Sequence, residues 1–190
     1  PDSWLSAAGK VLETGDASLM TATVNAVRAF PLAADQRKKV AAMILPVGQN
    51  HDLPVSLRIA AFASLPEGYW NADEAAFTFL LGQTHRGKPF GNRSKAAKAL
   101  GHAKLDEAQL VRLAEQLKTM NSLEAMAAVQ AFGSRPGAMI GKALLGGLQS
   151  SPWLRNVDPE AVNNAIREFP SVVREKVAEI LAHAKAAPVD

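Results

Sequence analysis

The chain has 190 residues, 48% of them hydrophobic but only 6% aromatic, and a formal net charge of +3. That length supports one sizeable core, and so small a charge does not by itself imply nucleic acid. The sequence holds no cysteine, which excludes disulfides, thiolate metal sites and C-x-x-C-H haem attachment within it.

Alanine and leucine supply most of the apolar mass. Small alanine faces let helix axes approach closely, and alanine is the best helix former. No period-two alternation persists, so the chain reads as all-α. No apolar run approaches the ~18 residues that a membrane span requires. The sequence starts at Pro1 without a basic-then-apolar leader, which reads as a mature protein or an excised fragment.

Residues 1–15 read as an N-terminal helix, Trp4 to Leu12, or as a partial repeat. From residue 16 to 186 one pattern recurs, with small residues ahead of an apolar closing residue. It occurs as Ala26-Val27-Arg28-Ala29-Phe30, Ala61-Phe62-Ala63-Ser64-Leu65 and Ala96-Ala97-Lys98-Ala99-Leu100. It returns as Ala128-Val129-Gln130-Ala131-Phe132 and Ala165-Ile166-Arg167-Glu168-Phe169. The closing residues are separated by 35, 35, 32 and 37 positions, a period that signals helical-hairpin repeats.

Each copy is followed by Pro31, Pro66, Gly101, Gly133 or Pro170, which predicts that a first helix ends there. A second helix then carries an apolar stripe at i, i+3, i+4, i+7 spacing. The stripes are Val40, Met43, Ile44, Leu45; Ala76, Phe77, Leu80, Leu81; and Leu110, Leu113, Ala114, Leu117. The last two are Ile140, Leu144, Leu145, Leu148 and Val173, Val177, Ile180, Leu181. Asp16, Asp35, Asp73, Asp106, Ser122 and Asp158 stand near the expected helix starts, where a side-chain oxygen accepts an orphan backbone N–H. Residues 187–190 read as a tail.

One hairpin cannot bury its own stripe, whereas stacked neighbours can. The expected architecture is therefore a single domain over 1–190, an α-solenoid of about five HEAT-like hairpins in a right-handed superhelix. Leu57-Arg58-Ile59-Ala60-Ala61, with Arg93 as the matching arginine, resembles the V-R-x-A-A-A-x-A-L core of HEAT-like repeats.

Three further stretches carry a wider resemblance. They are Lys95 to Leu110, Leu144-Leu145-Gly146-Gly147-Leu148 with Ser151-Pro152-Trp153-Leu154, and Phe169-Pro170-Ser171-Val172-Val173-Arg174. Together they resemble the helical-repeat segment of secreted multidomain haem-binding proteins of planctomycete-type bacteria. Those proteins join a β-propeller, helical repeats and a cytochrome c domain. The resemblance implies a connecting module, periplasmic or secreted, with the redox chemistry in other domains. A cytoplasmic location is left open.

Motifs of catalysis are sparse. His51, His85, His102 and His183 do not pair at helical spacing, so they read as surface or turn residues. Asp73-Glu74 and Asp106-Glu107 open helices and suit the macrodipole better than acid–base work. Gly87-Lys88-Pro89-Phe90-Gly91 lacks the ending a phosphate cradle needs. Gly146-Gly147 reads as a close helix contact. No catalytic, cofactor-binding or metal-binding residue is assigned.

The most informative stretch is His85 to Lys95, read as a basic loop between repeats. Its candidate partner-binding residues are Arg86, Lys88, Phe90, Arg93 and Lys95. A basic loop with an aromatic suits an acidic partner or a nucleic-acid backbone, while a solvated connector is the plainer reading. Arg37-Lys38-Lys39 reads as a solvated helix face. Tyr69-Trp70 and Trp153 lie in turns and read as caps on the core.

These features predict a non-catalytic scaffold or protein-interaction module. Its expected partners are proteins or neighbouring domains of the same chain, and its oligomeric state is left open. The alternatives are a nucleic-acid-binding HEAT-like protein and a helical-repeat enzyme of the DNA glycosylase kind.

Overall fold

Each apolar stripe in the sequence becomes the buried face of a helix. The computed structural model describes residues 2–29, 31–149 and 151–186. Its helices are α1 (Asp2–Glu13), α2 (Ala17–Ala29), α3 (Ala34–Gln49), α4 (Val55–Ser64), α5 (Glu74–Gln83) and α6 (Phe90–His102). There follow α7 (Glu107–Leu117), α8 (Ser122–Val129), α9 (Ala138–Gln149), α10 (Pro159–Ala165) and α11 (Ser171–Ala186). Short 3-10 turns at Gln130–Ser134 and Pro152–Asn156 interrupt the series. Among the described residues there is no strand, and no helix is long and apolar enough to cross a membrane.

Alternate helices touch, except that α3 and α5 make no comparable contact. In one row α2 packs on α4, α4 on α6, α6 on α8, and α8 on α10. In the other, α1 meets α3, α5 meets α7, α7 meets α9, and α9 meets α11. Apolar side chains between the rows form one continuous core from Leu5 to Leu181. The closest approaches are made by glycine. A methyl group on Gly101 would overlap the Ala127 carbonyl oxygen across the α6–α8 contact. One on Gly147 would overlap the Ala114 carbonyl oxygen across α7–α9. Gly48 lies under the Phe62 ring, where an added carbon would stand 2.9 Å from it.

The repeating pattern has a structural register. Pro54, Pro89, Asn121 and Asp158 are the N-caps of α4, α6, α8 and α10. Leu65, Leu100, Phe132 and Phe169 each lie eleven residues beyond their cap, and all four are buried. Phe30, the first closing residue, and the 187–190 tail lie outside the described residues.

Several expectations need correction. Gly101 does not end its helix: α6 runs on to His102, because the glycine serves the contact with Ala127 rather than a left-handed cap. Phe132 sits in the 3-10 turn after α8, and Phe169 lies beyond α10, yet burial holds both in place. Asp35 lies in the first turn of α3, whose N-cap is Ala33. The Gln36 side chain there accepts from the Ala33 N–H at 3.1 Å. Ser122 is the first residue of α8, and the cap is Asn121, one position earlier. Asp16, Asp73, Asp106 and Asp158 do accept from backbone N–H groups at their helix starts, at 2.7–3.1 Å. Glu74 pairs with Arg112 of α7 at 2.6 Å, and that guanidinium, with the Thr78 hydroxyl, holds its carboxyl below the usual range. Asp73 and Asp106 thus act as caps, and Glu74 ties α5 to α7.

The connection after α4 runs beside the connection after α6. Gly68 N–H donates to the His102 carbonyl at 3.1 Å, and Lys104 N–H to the Trp70 carbonyl at 3.0 Å. Gln109 Nε2 donates to the Ala72 carbonyl at 3.0 Å. Gly68 has φ +74°, a conformation that a side chain would strain. Trp70 is buried against Phe62, with ring centroids 5.2 Å apart. Trp153 is buried and donates from Nε1 to the Leu117 carbonyl at 2.9 Å. Both indoles belong to the core, while Tyr69 is exposed.

Candidate functional site

The stretch His85 to Lys95 is a loop only as far as Pro89. Phe90, Arg93 and Lys95 belong to the first turns of α6, because Pro89 serves as N-cap and fixes the helix start. Two of its cations are committed within the fold. Arg86 Nε donates to the Thr119 carbonyl at 3.1 Å, which ties this loop to the turn before α8. Arg93 donates from Nη1 to the Arg86 carbonyl at 3.0 Å and from Nε to Glu124 Oε1 at 2.8 Å. Glu124 is only 2% exposed, so Arg93 compensates a buried charge. Its guanidinium stands 5.8 Å from the centre of the Phe90 ring. Phe90 itself is 57% exposed, Lys88 is exposed and Lys95 half-buried. Arg86, Phe90 and Arg93 thus come together at the start of α6 with Lys88 in the loop before it, while Lys95 stands further along the helix, Arg93 faces inward and Arg86 is anchored.

Arg58 explains why an arginine stands there. It occupies the fourth position of α4, as Arg93 does in α6. Its Nε donates to the Gly48 carbonyl at 3.0 Å, at the end of α3, and its guanidinium lies 4.0 Å over the Phe79 ring. Both arginines fasten a helix start to backbone that precedes it. Removing a partner from such a charge-assisted bond costs about 1.5–3 kcal/mol. Glu124→Ala is accordingly expected to destabilise by that amount in urea unfolding. Glu124→Ala combined with Arg93→Ala should cost less than the two single changes added together.

A second surface lies at the other end of the same helices. Two hollows, of about 460 and 270 Å³, run along the C-terminal ends of α2, α4, α6 and α10 and share Glu67 and His102. Their basic lining is Arg28, Arg37, Lys98, Lys104 and Arg167, against the carboxylates Glu67 and Glu168. Arg167 pairs with Glu168 at 3.2 Å, both exposed. Arg28, Lys98 and Lys104 have no ion-pair partner among the described residues. Sequence reasoning missed this surface, and a signal was available. Arg28, Ala63, Lys98, Gln130 and Arg167 hold the third position of the five pattern copies, and all five line the two hollows.

His102 sits where the hollows meet. Burial chiefly, and Lys98 next, push its imidazole below the ordinary histidine value, against weaker opposing effects of Glu67 and the Leu65 backbone. The folded state therefore holds this proton less firmly than the unfolded chain, whose value is about 6.5. The stability it contributes is complete above that value and is lost as the pH falls through it. Between pH 7.5 and 5.5 the wild type is expected to lose more stability than His102→Gln, as thermal melts at both pH values would read. Lys98 works in the same direction, and Glu67 works against it.

Among the described residues, no group of three or more His, Asp and Glu side chains comes together as a metal site would require. Comparison with known proteins returns no matching family model, no matching curated protein and no matching solved structure.

Proposed function

We propose that this chain is an α-solenoid of about five HEAT-like hairpins in a right-handed superhelix, acting as a non-catalytic scaffold and protein-interaction module. In this reading it is a spacer within a larger periplasmic or secreted redox protein, of the kind that joins a propeller to a cytochrome c domain. The observation that supports it best is the contact of alternate helices in two rows, sealed by Gly101 and Gly147. Such packing passes from neighbour to neighbour and gives a rigid body with long edges for partners. The commitment of Arg86 and Arg93 to the fold also lowers the charge available for phosphate neutralisation.

Fluorescence anisotropy with a DNA duplex and a single strand tests this reading. The expected affinity at physiological salt is on the order of 10⁻⁴ M or weaker. Micromolar binding, lost on replacing Arg86 and Lys88 by alanine, would overturn it in favour of a nucleic-acid-binding protein. The complete open reading frame tests the context: a downstream C-x-x-C-H segment supports the spacer role, and a frame without haem or propeller segments rejects it.

A further inference from the structure

We infer that the hollows at the C-terminal ends of the first helices form one groove for an extended acidic polypeptide. This rests on the scaffold reading and names its site and the chemistry of its partner.

The inference begins with register. The third position of the recurring pattern holds Arg28, Ala63, Lys98, Gln130 and Arg167, one from each copy, and all five line the same pair of hollows. In the copy where the position is alanine, Arg37 lines the hollow instead. Packed helices stand 8–10 Å apart. Long polar or basic side chains are thus offered at roughly that interval along the groove. An extended chain advances about 3.3 Å per residue, so one rung corresponds to about every third residue. A peptide with a carboxylate at every third position would set every second one against Arg28, Lys98 and Arg167, and leave those between to Arg37 and Lys104, which line the same hollows.

The remaining lining favours a polypeptide over nucleic acid. Gln130 and Asn164 are exposed at the groove and offer amide donors and acceptors to a peptide backbone. Glu67 and Glu168 interrupt the basic row, which a spaced set of carboxylates can straddle and a continuous phosphate backbone cannot. The helix ends themselves present carbonyl oxygens, which accept hydrogen bonds from the N–H groups of a peptide backbone, donors that a phosphate backbone lacks. The basic side chains lie where they also offset those helix dipoles, so the groove is stable before any partner arrives.

The test uses the full chain and a fluorescein-labelled 15-residue peptide of repeated Glu-Ser-Thr. Its companions are a peptide of the same composition with the glutamates clustered, and a 15-nucleotide oligothymidylate. Saturable binding of the spaced peptide is expected, tighter than that of the clustered peptide and of the oligonucleotide. Lys98→Glu with Arg167→Glu should weaken it by at least about tenfold, as reversal of close charge pairs does. Lys88→Glu with Lys142→Glu, two exposed lysines that line neither hollow, should change it by less than about twofold. Circular dichroism melts of both double variants establish that each is folded. Absence of saturable binding, equal losses in both variants, or tighter binding of the oligonucleotide would overturn the proposal. Hydrogen exchange along the helices reads the scaffold without using the groove. An intact stack with no peptide binding therefore rejects the groove alone.

Discussion

Leu100→Ala is expected to destabilise the chain by about 2–5 kcal/mol, the range for truncating a buried leucine. Leu100 closes the third copy of the pattern and is fully buried in the core. It lies on α6, which packs on α4 to one side and on α8 to the other. The cavity would open between three helices, and each is fixed by further neighbours, so little collapse can refill it. Urea unfolding at constant temperature measures the effect. In a thermal melt it corresponds to a fall of at least about 4 °C for a chain of this size. A variant that melts within a degree of the parent would mean that the register of the copies is misplaced.

The second large effect has opposite signs at adjacent positions. Gly147→Ala should destabilise by about 1–3 kcal/mol, because its methyl group overlaps the backbone carbonyl of Ala114 and neither helix can yield cheaply. Gly146→Ala should instead stabilise by about 0.5–1 kcal/mol. Its added carbon meets nothing within 4 Å, and alanine loses less freedom than glycine in a helix. Propensity alone would make both substitutions stabilising. Chemical denaturation of the two variants side by side separates propensity from packing, and equal signs would refute the close α7–α9 contact.

The fold was legible where the signal was local. The stripes Leu110, Leu113, Ala114, Leu117 and Val173, Val177, Leu181 are buried as their spacing requires. Asp73 and Asp106 cap the helices they precede, since capping needs only a side-chain oxygen next to its N–H groups. Signals that depend on distant partners were misread. Gly87, Pro89 and Gly91 made residues 85–95 look like a loop, yet Pro89 starts a helix and Gly91 lies in its first turn with open space around it. Arg93 looked like a surface cation because its partner, Glu124, stands 31 residues away. Gly101 looked like a helix stop because nothing in its neighbourhood discloses the Ala127 carbonyl against it. The basic groove was invisible for a related reason. Arg28, Lys98 and Arg167 are ordinary exposed residues one by one, and only their shared register sets them along one edge.

Native-state hydrogen exchange on the wild type and on Val177→Ala tests the stacked arrangement most directly. Val177 is buried in α11, which touches α9 and α10 but makes no comparable contact with α4 or α6. In a stack stabilised by neighbours, the substitution should speed exchange in α9, α10 and α11 and leave amides of α4 and α6 unchanged. Equal acceleration in α4 and α11 would mean that the chain opens as one cooperative globule, and would contradict the account.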